Sequence, residues 1–193
     1  MKKRNGEDFG FFRVQNKAEY GWIVSCSPAV VVLPVFVSLS ESDSSEQSIN
    51  IKIGLIQIFR HPIGKVSWEF AGGSVEEKER PEEAALRELR EETGIASKKL
   101  KQIGEFYEAP GRMLFLHHVF VAENPGPPNF KNASHRQEED IQQFRYFSLY
   151  RIENMIKTGK IISGPTLAAL SILMRSMPAI QDFGCDVGWP REN

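Results

Sequence analysis

The most apolar stretch of the chain covers residues 29–37 and is continuous, without polar positions at alternate places. A short β-branched run of this kind is typical of a strand covered on both faces, and it falls well below the ~20 residues of a membrane-spanning helix. A second strand-like run covers residues 51–59, and the polar, serine-rich residues 38–50 between them show no periodicity. We therefore predict two core strands joined by an exposed hairpin loop at 38–50.

Residues 81–93 have the clearest helical pattern in the chain. Pro81 suits the first turn of a helix, because it lacks the N–H that the first turn leaves unpaired, and Gly94 suits the residue after its end. The apolar residues Ala85 and Leu89 lie on one face, so the glutamates of this segment occupy the other face. The pattern predicts an amphipathic helix that packs its apolar face on a sheet.

The remaining segments alternate between the two kinds of periodicity. We predict strands within residues 9–25, 66–70, 99–108, 113–122 and 141–148, and helices at 149–158 and 165–177. Such alternation indicates the α/β class. We divide the chain into an N-terminal β arm at 1–26, one domain at 27–178 and a C-terminal tail at 179–193, since 193 residues suit a single domain with short extensions.

Charge and cysteine usage narrow the functional classes. The net charge is −1 and no long basic run occurs, which argues against a broad surface for nucleic acid. The basic N-terminus precedes no apolar stretch, and the two cysteines are far apart. We expect no secretory signal, no membrane association and a reducing, cytoplasmic location.

Three glutamates of the predicted helix form the candidate chemical site. Glu88, Glu91 and Glu92 are at positions i, i+3 and i+4, so they share one face and repel one another. A hard divalent cation such as Mg²⁺ would remove that repulsion, because it prefers carboxylate oxygens, water and phosphate. A solvated acidic helix face is the alternative that these three residues alone leave open.

Arg87 and two glycines near the helix are compatible with a cation site. Arg87 lies four residues before Glu91 and can pair with it, which would orient the carboxylate. Gly72 and Gly73 precede the helix and allow the backbone to come close to the same centre, where a carbonyl oxygen is a further donor. The acidic face, the arginine and the glycines are thus compatible with one metal-binding assembly, and the solvated acidic face is still open at this point.

The complete array has a defined spacing. Five residues separate the first glycine from a glutamate and seven more precede the Arg-Glu pair; the positions are Gly73, Glu79, Arg87, Glu88, Leu89, Glu91, Glu92, Gly94 and Ile95. This array resembles the signature of the Nudix hydrolases, which cleave a nucleoside diphosphate linked to another group. The resemblance implies an α/β/α sandwich with a mixed central sheet and a loop–helix–loop motif that binds two to three Mg²⁺ or Mn²⁺ ions.

Roles follow from the resemblance position by position. Glu88 and Glu92 would be the principal metal ligands, Glu91 a further ligand or base, and Gly72 a carbonyl ligand. Arg87, together with Glu79, would orient the carboxylates.

Outside the array, residues 27–177 resemble the ADP-ribose and nucleotide-sugar pyrophosphatase branch of this family. Arg60, at a predicted strand end, would clamp phosphate oxygens. The resemblance implies that Trp68 and Glu69 line the nucleotide pocket, and that Pro110, Gly111 and Arg112 mark the turn associated with ADP-ribose hydrolysis. Among the acids before the strand at 141–148, Glu139, with Glu138 as its substitute, would act as base or extra ligand. The segment after Gly111 lacks the hydroxyl and acidic residues often found there, which leaves the terminal group open.

The expected activity is hydrolysis of ADP-ribose or a similar nucleoside diphosphate sugar to a nucleoside monophosphate and a sugar phosphate. GDP-mannose, a dinucleoside polyphosphate or a capped RNA end are alternative substrates, although the low net charge argues against RNA. A non-catalytic nucleotide-binding module is a third reading, which the intact set of glutamates disfavours. The resemblance also implies a homodimer built through the N-terminal arm.

Overall fold

The computed structural model describes residues 6–8, 12–17, 21–41, 47–98, 100–130, 133–134 and 140–176. Within these ranges the strands are β1 (Gly6–Asp8), β2 (Phe12–Lys17), β3 (Gly21–Cys26), β4 (Ala29–Glu41), β5 (Gln47–Arg60), β6 (Lys65–Glu69), β7 (Ala71–Ser74), β8 (Lys101–Tyr107), β9 (Met113–Leu114), β10 (Leu116–Glu123) and β11 (Ile141–Ser148). The helices are α1 (Pro81–Thr93), α2 (Leu149–Lys157) and α3 (Gly164–Ser176), and a single 3₁₀ turn covers His61–Ile63.

A mixed sheet forms the centre of the fold, with strand order β11-β5-β4-β10-β8. Strand β10 runs parallel to β4, whereas the other neighbours along this path are antiparallel. The short strands β6 and β7 add to β5 and β4 respectively. The α/β class and the mixed sheet are therefore confirmed.

The prediction of a loop at residues 38–50 is wrong for most of these residues. Strand β4 continues to Glu41 and β5 begins at Gln47, and the two pair antiparallel through this region, for example Leu39 with Ile49. Strands pair through backbone hydrogen bonds, which do not require apolar side chains. The polar composition of residues 38–41 and 47–50 therefore gave no sign that both strands continue through them. Residues 42–46 lie outside the described ranges.

Strand β4 separates two hydrophobic layers because side chains of a strand alternate between the faces of a sheet. Val30 and Val32 belong to the cluster that includes Ala85 and Leu89 of α1. Val31, on the other face, belongs to the cluster that includes residues of α2 and α3. The result is the α/β/α sandwich that the resemblance implied.

A second, four-stranded sheet has the order β1-β2-β3-β9, and its strands β1 to β3 occupy much of the arm predicted at 1–26. Strand β3 runs parallel to β9, pairing Val24 with Met113. The domain limits stay a prediction, and the tail at 179–193 lies outside the described residues. None of the helices in the described ranges has the length and apolar content to span a bilayer.

The short strand β7 positions the glycines of the candidate site. It pairs antiparallel with β4 and is followed by a turn that leads into α1. A Cβ added to Gly72 would lie 2.2 Å from the backbone oxygen of Val30, so only glycine fits at this position. Helix α1 ends as predicted, with Gly94 in the left-handed conformation at φ 70°.

Candidate active site

Arg87 of α1 is the centre of a network of carboxylates from α1 and the turn before it. Its guanidinium donates two hydrogen bonds to Glu79, from Nε at 2.9 Å and from Nη2 at 3.0 Å. Nη1 donates to Glu88 at 2.7 Å and to Glu91 at 3.2 Å, and Nη2 also reaches the backbone oxygen of Ser74. One partly buried cation, the Arg87 guanidinium, therefore holds three of the acids of the array in fixed positions.

The electrostatics of this network favour its charged form. Hydrogen bonds from Arg87 are the main cause that lowers the pKa of Glu79 below its ordinary value, with burial opposing. The same interactions raise the pKa of Arg87. Both groups therefore remain charged at neutral pH.

Glu88 and Glu92 lie against successive glycines of β7. The backbone N–H of Gly72 donates to Oε2 of Glu92 at 2.8 Å. A Cβ added to Gly73 would lie 2.3 Å from Oε1 of Glu88, so this carboxylate fills the space that any other residue would occupy. Glu88 is 5% exposed and Glu92 is 1% exposed. Two carboxylates one helical turn apart are thus brought to one short stretch of backbone.

The donor chemistry of this stretch fits a hard divalent cation. Two carboxylates and the nearby glycine carbonyls provide oxygen ligands, and the missing side chain of Gly73 lets the Glu88 carboxylate lie directly against the backbone. Within the described ranges no group of three or more His, Cys, Asp or Glu side chains is arranged to hold a metal ion. Mg²⁺ is usually held by one or two carboxylates and completed by substrate phosphates, so the pair of Glu88 and Glu92 is a fitting protein contribution.

A cleft of about 560 Å³ opens beside these residues, and we call it the carboxylate cleft. It is lined by Phe59, Arg60, His61, Pro62, Gly72, Gly73, Ser74, Glu76, Arg87, Glu88 and Asp140. Asp140, the residue just before β11, is one of these lining residues. Its carboxylate is 2.5 Å from Nε2 of His61. The cleft therefore combines carboxylates with two arginines, which is suitable for a phosphate group that carries a cation.

A second cleft of about 590 Å³ shares Arg60, Pro62 and Gly72–Ser74 with the first, and we call it the histidine cleft. Its other lining residues are Ala29, Val30, Val31, Ile63, Glu69, Phe70, Glu108, Phe115, His117 and residues 162–166. Arg60 stands at the boundary, where Glu69 accepts from its Nε at 3.3 Å and from its Nη2 at 2.8 Å. The guanidinium predicted to clamp phosphate is thus held in place by a buried carboxylate.

His117, which the sequence left as either a structural or a substrate-lining residue, lines the histidine cleft. Its Nε2 is 3.0 Å from Oε2 of Glu108, and burial lowers the pKa of its imidazole, with Glu108 opposing. Histidine in an apolar strand is usually structural, and only the pairing of β10 with β8 brings Glu108 near it. The sequence therefore contained no local signal for this pair.

The other predicted ligand contacts that the structure describes occupy two different places. Trp68 packs in the core, edge-on to Phe147 at 4.8 Å between ring centroids, because consecutive residues of β6 point to opposite faces. Pro110, Gly111 and Arg112 line a separate cleft of about 340 Å³. Glu138 and Glu139 lie outside the described residues. The ligand roles of these residues stay predictions.

The family model described as NUDIX domain matches residues 46–170, which include β5 to β11, α1 and the glutamate array. This is more than half of the chain, so the chain belongs to the Nudix family. The resemblance seen in the sequence is confirmed.

Individual relatives point to nucleotide-sugar chemistry. The chain is 46% identical over 72 residues to an ADP-ribose pyrophosphatase of Bacillus subtilis, covering 37% of this chain and 39% of that protein. It is 31% identical over 100 residues to a GDP-mannose pyrophosphatase of Escherichia coli, covering 52% of each. The chain thus spans only part of these curated relatives. A solved structure of an ADP compounds hydrolase shares the fold, with a TM-score of 0.64 at 17% identity and coverage of 91% of this chain and 93% of that one.

Proposed function

We propose that this protein is a divalent-metal-dependent hydrolase that cleaves the pyrophosphate of ADP-ribose or a related nucleoside diphosphate sugar. The products are a nucleoside monophosphate and a sugar phosphate. The observation that carries the proposal is the pair of buried carboxylates, Glu88 and Glu92, set against Gly72 and Gly73 beside the two clefts. The similarity to an ADP-ribose pyrophosphatase supports the choice of substrate.

Four side chains in or beside the carboxylate cleft have defined roles in this reaction. Glu88 and Glu92 would hold Mg²⁺ or Mn²⁺, in two to three ions, with the Gly72 carbonyl as a further donor. When bound, the cation supplies Lewis-acid stabilisation of the charge that develops on the diphosphate. Arg87 keeps the carboxylates oriented, and Arg60, at the boundary of the clefts, donates to phosphate oxygens.

The attacking water needs a group that accepts its proton. We assign this role to the loop before β11, with Glu139 as the first candidate and Glu138 as its substitute. Asp140 follows directly and lines the carboxylate cleft, in a left-handed conformation with φ 53°. The position of Asp140 supports the proposal, because Glu139 is the residue immediately before it in the chain.

The first test is a substrate panel. Purified protein with Mg²⁺ or Mn²⁺ should release AMP from ADP-ribose, and the release should stop when the metal is chelated. Product chromatography after incubation with ADP-ribose, GDP-mannose and a dinucleoside polyphosphate gives the preference. Binding of ADP-ribose without any product from the panel, with metal present, would contradict the hydrolase assignment and favour a nucleotide-binding module.

GDP-mannose is the second candidate substrate, because an Escherichia coli GDP-mannose pyrophosphatase is among the similar proteins. In that case GMP would be the principal product of the same panel. Homodimer formation through the N-terminal strands and a cytoplasmic location also remain proposals. Light scattering of the purified protein measures the first directly.

The two glycines of β7 give a matched pair of variants. In Gly73→Ala the new methyl meets the Glu88 carboxylate at 2.3 Å, which must move, so kcat should fall about tenfold or more with little change in the free energy of unfolding. In Gly72→Ala the methyl meets the Val30 backbone oxygen at 2.2 Å inside the sheet, so the protein should lose about 1–3 kcal/mol of stability. Turnover and urea unfolding of both variants separate the effects. Equal loss of stability in the two would contradict this reading.

A further inference from the structure

The histidine cleft is rich in hydrogen-bond acceptors. Glu69, Glu108 and His117 all line it, and Glu69 and His117 are each 5% exposed. Glu69 is already engaged by Arg60 through two hydrogen bonds. Glu108 is paired with Nε2 of His117. The acceptor whose partner remains to be found is the other nitrogen of the His117 ring.

One nitrogen of His117 is paired and the other is not. Nε2 lies 3.0 Å from Oε2 of Glu108, and Nδ1 is buried with no hydrogen-bond partner among the described residues. An ionised carboxylate can only accept, so in the neutral ring the proton is on Nε2 and Nδ1 carries the lone pair. A buried acceptor without a partner is unfavourable, and sites of this kind are commonly completed by a ligand or a water molecule.

The imidazole is held in a defined place. Its ring is parallel to that of Phe106, with centroids 4.7 Å apart and an interplanar angle of 2°. The ring of Phe115 contacts it at 4.3 Å. These contacts and the bond to Glu108 restrict the ring before any ligand arrives, which is the condition for selective recognition.

We propose that His117, with its tautomer set by Glu108, is a specificity-determining residue whose Nδ1 accepts a hydrogen bond from an N–H or O–H group of the substrate. This inference rests on the proposed function. If the diphosphate occupies the carboxylate cleft, the group attached to it extends past Arg60 into the adjoining histidine cleft. The donor is then the amino group of the base or a hydroxyl of a ribose.

The test compares substrates that differ by single donors. ADP-ribose, its inosine counterpart, in which a carbonyl replaces the amino group of the base, and counterparts lacking one ribose hydroxyl are hydrolysed by the wild type and by His117→Phe. The wild type should disfavour one of these analogues by about tenfold or more in kcat/KM, and His117→Phe should not discriminate. The analogue that shows this pattern identifies base or sugar as the source of the donor.

Two further variants control for structural effects. His117→Asn retains an oxygen close to the position of Nδ1 and should keep most of the discrimination, even if the phenylalanine variant folds poorly. His118→Phe changes the next residue of the strand, whose Nδ1 lies 3.3 Å from Gln102 instead, and should discriminate like the wild type. If the wild type and His117→Phe discriminate equally between the analogues, the inference about His117 is wrong, but the proposed function stands. The same holds if the wild type hydrolyses every analogue with the same kcat/KM. A wild type that hydrolyses no nucleotide conjugate with metal overturns the proposed function as well.

Discussion

Glu92→Gln should lower kcat for the best substrate by at least about a hundredfold while leaving the protein folded. The change removes one of two buried negative charges that face the proposed cation. The glutamine oxygen can still accept the hydrogen bond from the Gly72 N–H, which is 2.8 Å long in the wild type. The change also removes one of the negative charges that repel one another on α1. The free energy of unfolding should therefore stay the same or rise slightly.

The measurements are steady-state kinetics over a range of Mg²⁺ concentrations and urea unfolding of the metal-free protein. Glu82→Gln is the matched control, since it removes one exposed carboxylate from the first turn of the same helix. It should keep kcat within about twofold of the wild type, because surface changes of this kind have small effects. Near-normal turnover of Glu92→Gln would end the assignment of this carboxylate to the metal.

Arg87→Gln should reduce the free energy of unfolding by about 3 kcal/mol, the largest stability effect that we expect from a single polar residue of this site. The wild-type guanidinium bonds Glu79, Glu88 and Glu91, and its side chain is only 23% exposed. Glutamine would remove the guanidinium that these three carboxylates share. Turnover should also fall, because Glu88 loses the partner that orients it.

The pH dependence of stability provides a second readout. Arg87 holds the pKa of Glu79 below its ordinary value of 4.5, so the folded state binds fewer protons than the unfolded state in that region. The resulting stabilisation is complete above the unfolded pKa and is lost as the pH falls through the folded pKa. Arg87→Gln should remove this contribution, and its stability should then depend less on pH below about 4.5.

A double variant tests whether the loss comes from uncompensated charge. Arg87→Gln combined with Glu79→Gln removes both partners, so its stability loss should be smaller than the sum of the two single losses. Arg90→Gln, an exposed arginine of the same helix, is the control and should change stability by less than about 0.5 kcal/mol. Additive losses in the double variant would show that Arg87 and Glu79 act independently.

The local elements could be predicted where the signal is contained in neighbouring residues. Helix α1 begins at Pro81, as its composition indicated, and the residue after it is Gly94 in the left-handed conformation. The spacing of Glu88 and Glu92 placed both on one helical face, and the structure brings both carboxylates to β7. Strand β11 also matches the predicted residues 141–148.

Predictions that depended on distant partners fared differently. The strands around residues 38–50 were hidden because their partner is another polar segment, and only cross-strand pairing such as Leu39 with Ile49 defines them. Trp68 was expected to line the nucleotide pocket because it precedes the glycines of the site; the alternation of β6 directs its side chain into the core, and its ligand role stays a prediction.

The sequence by itself determined the family, the α1 helix and the set of acids that face one way, because a helix converts spacing of three and four residues into a shared face. Only the tertiary structure decided which backbone those acids meet, how Arg60 is held by Glu69, and that His117 and Glu108 form a pair beside the site. These contacts join strands and loops that are separate along the chain. Their geometry is set by sheet register and packing, which no local pattern of residues encodes.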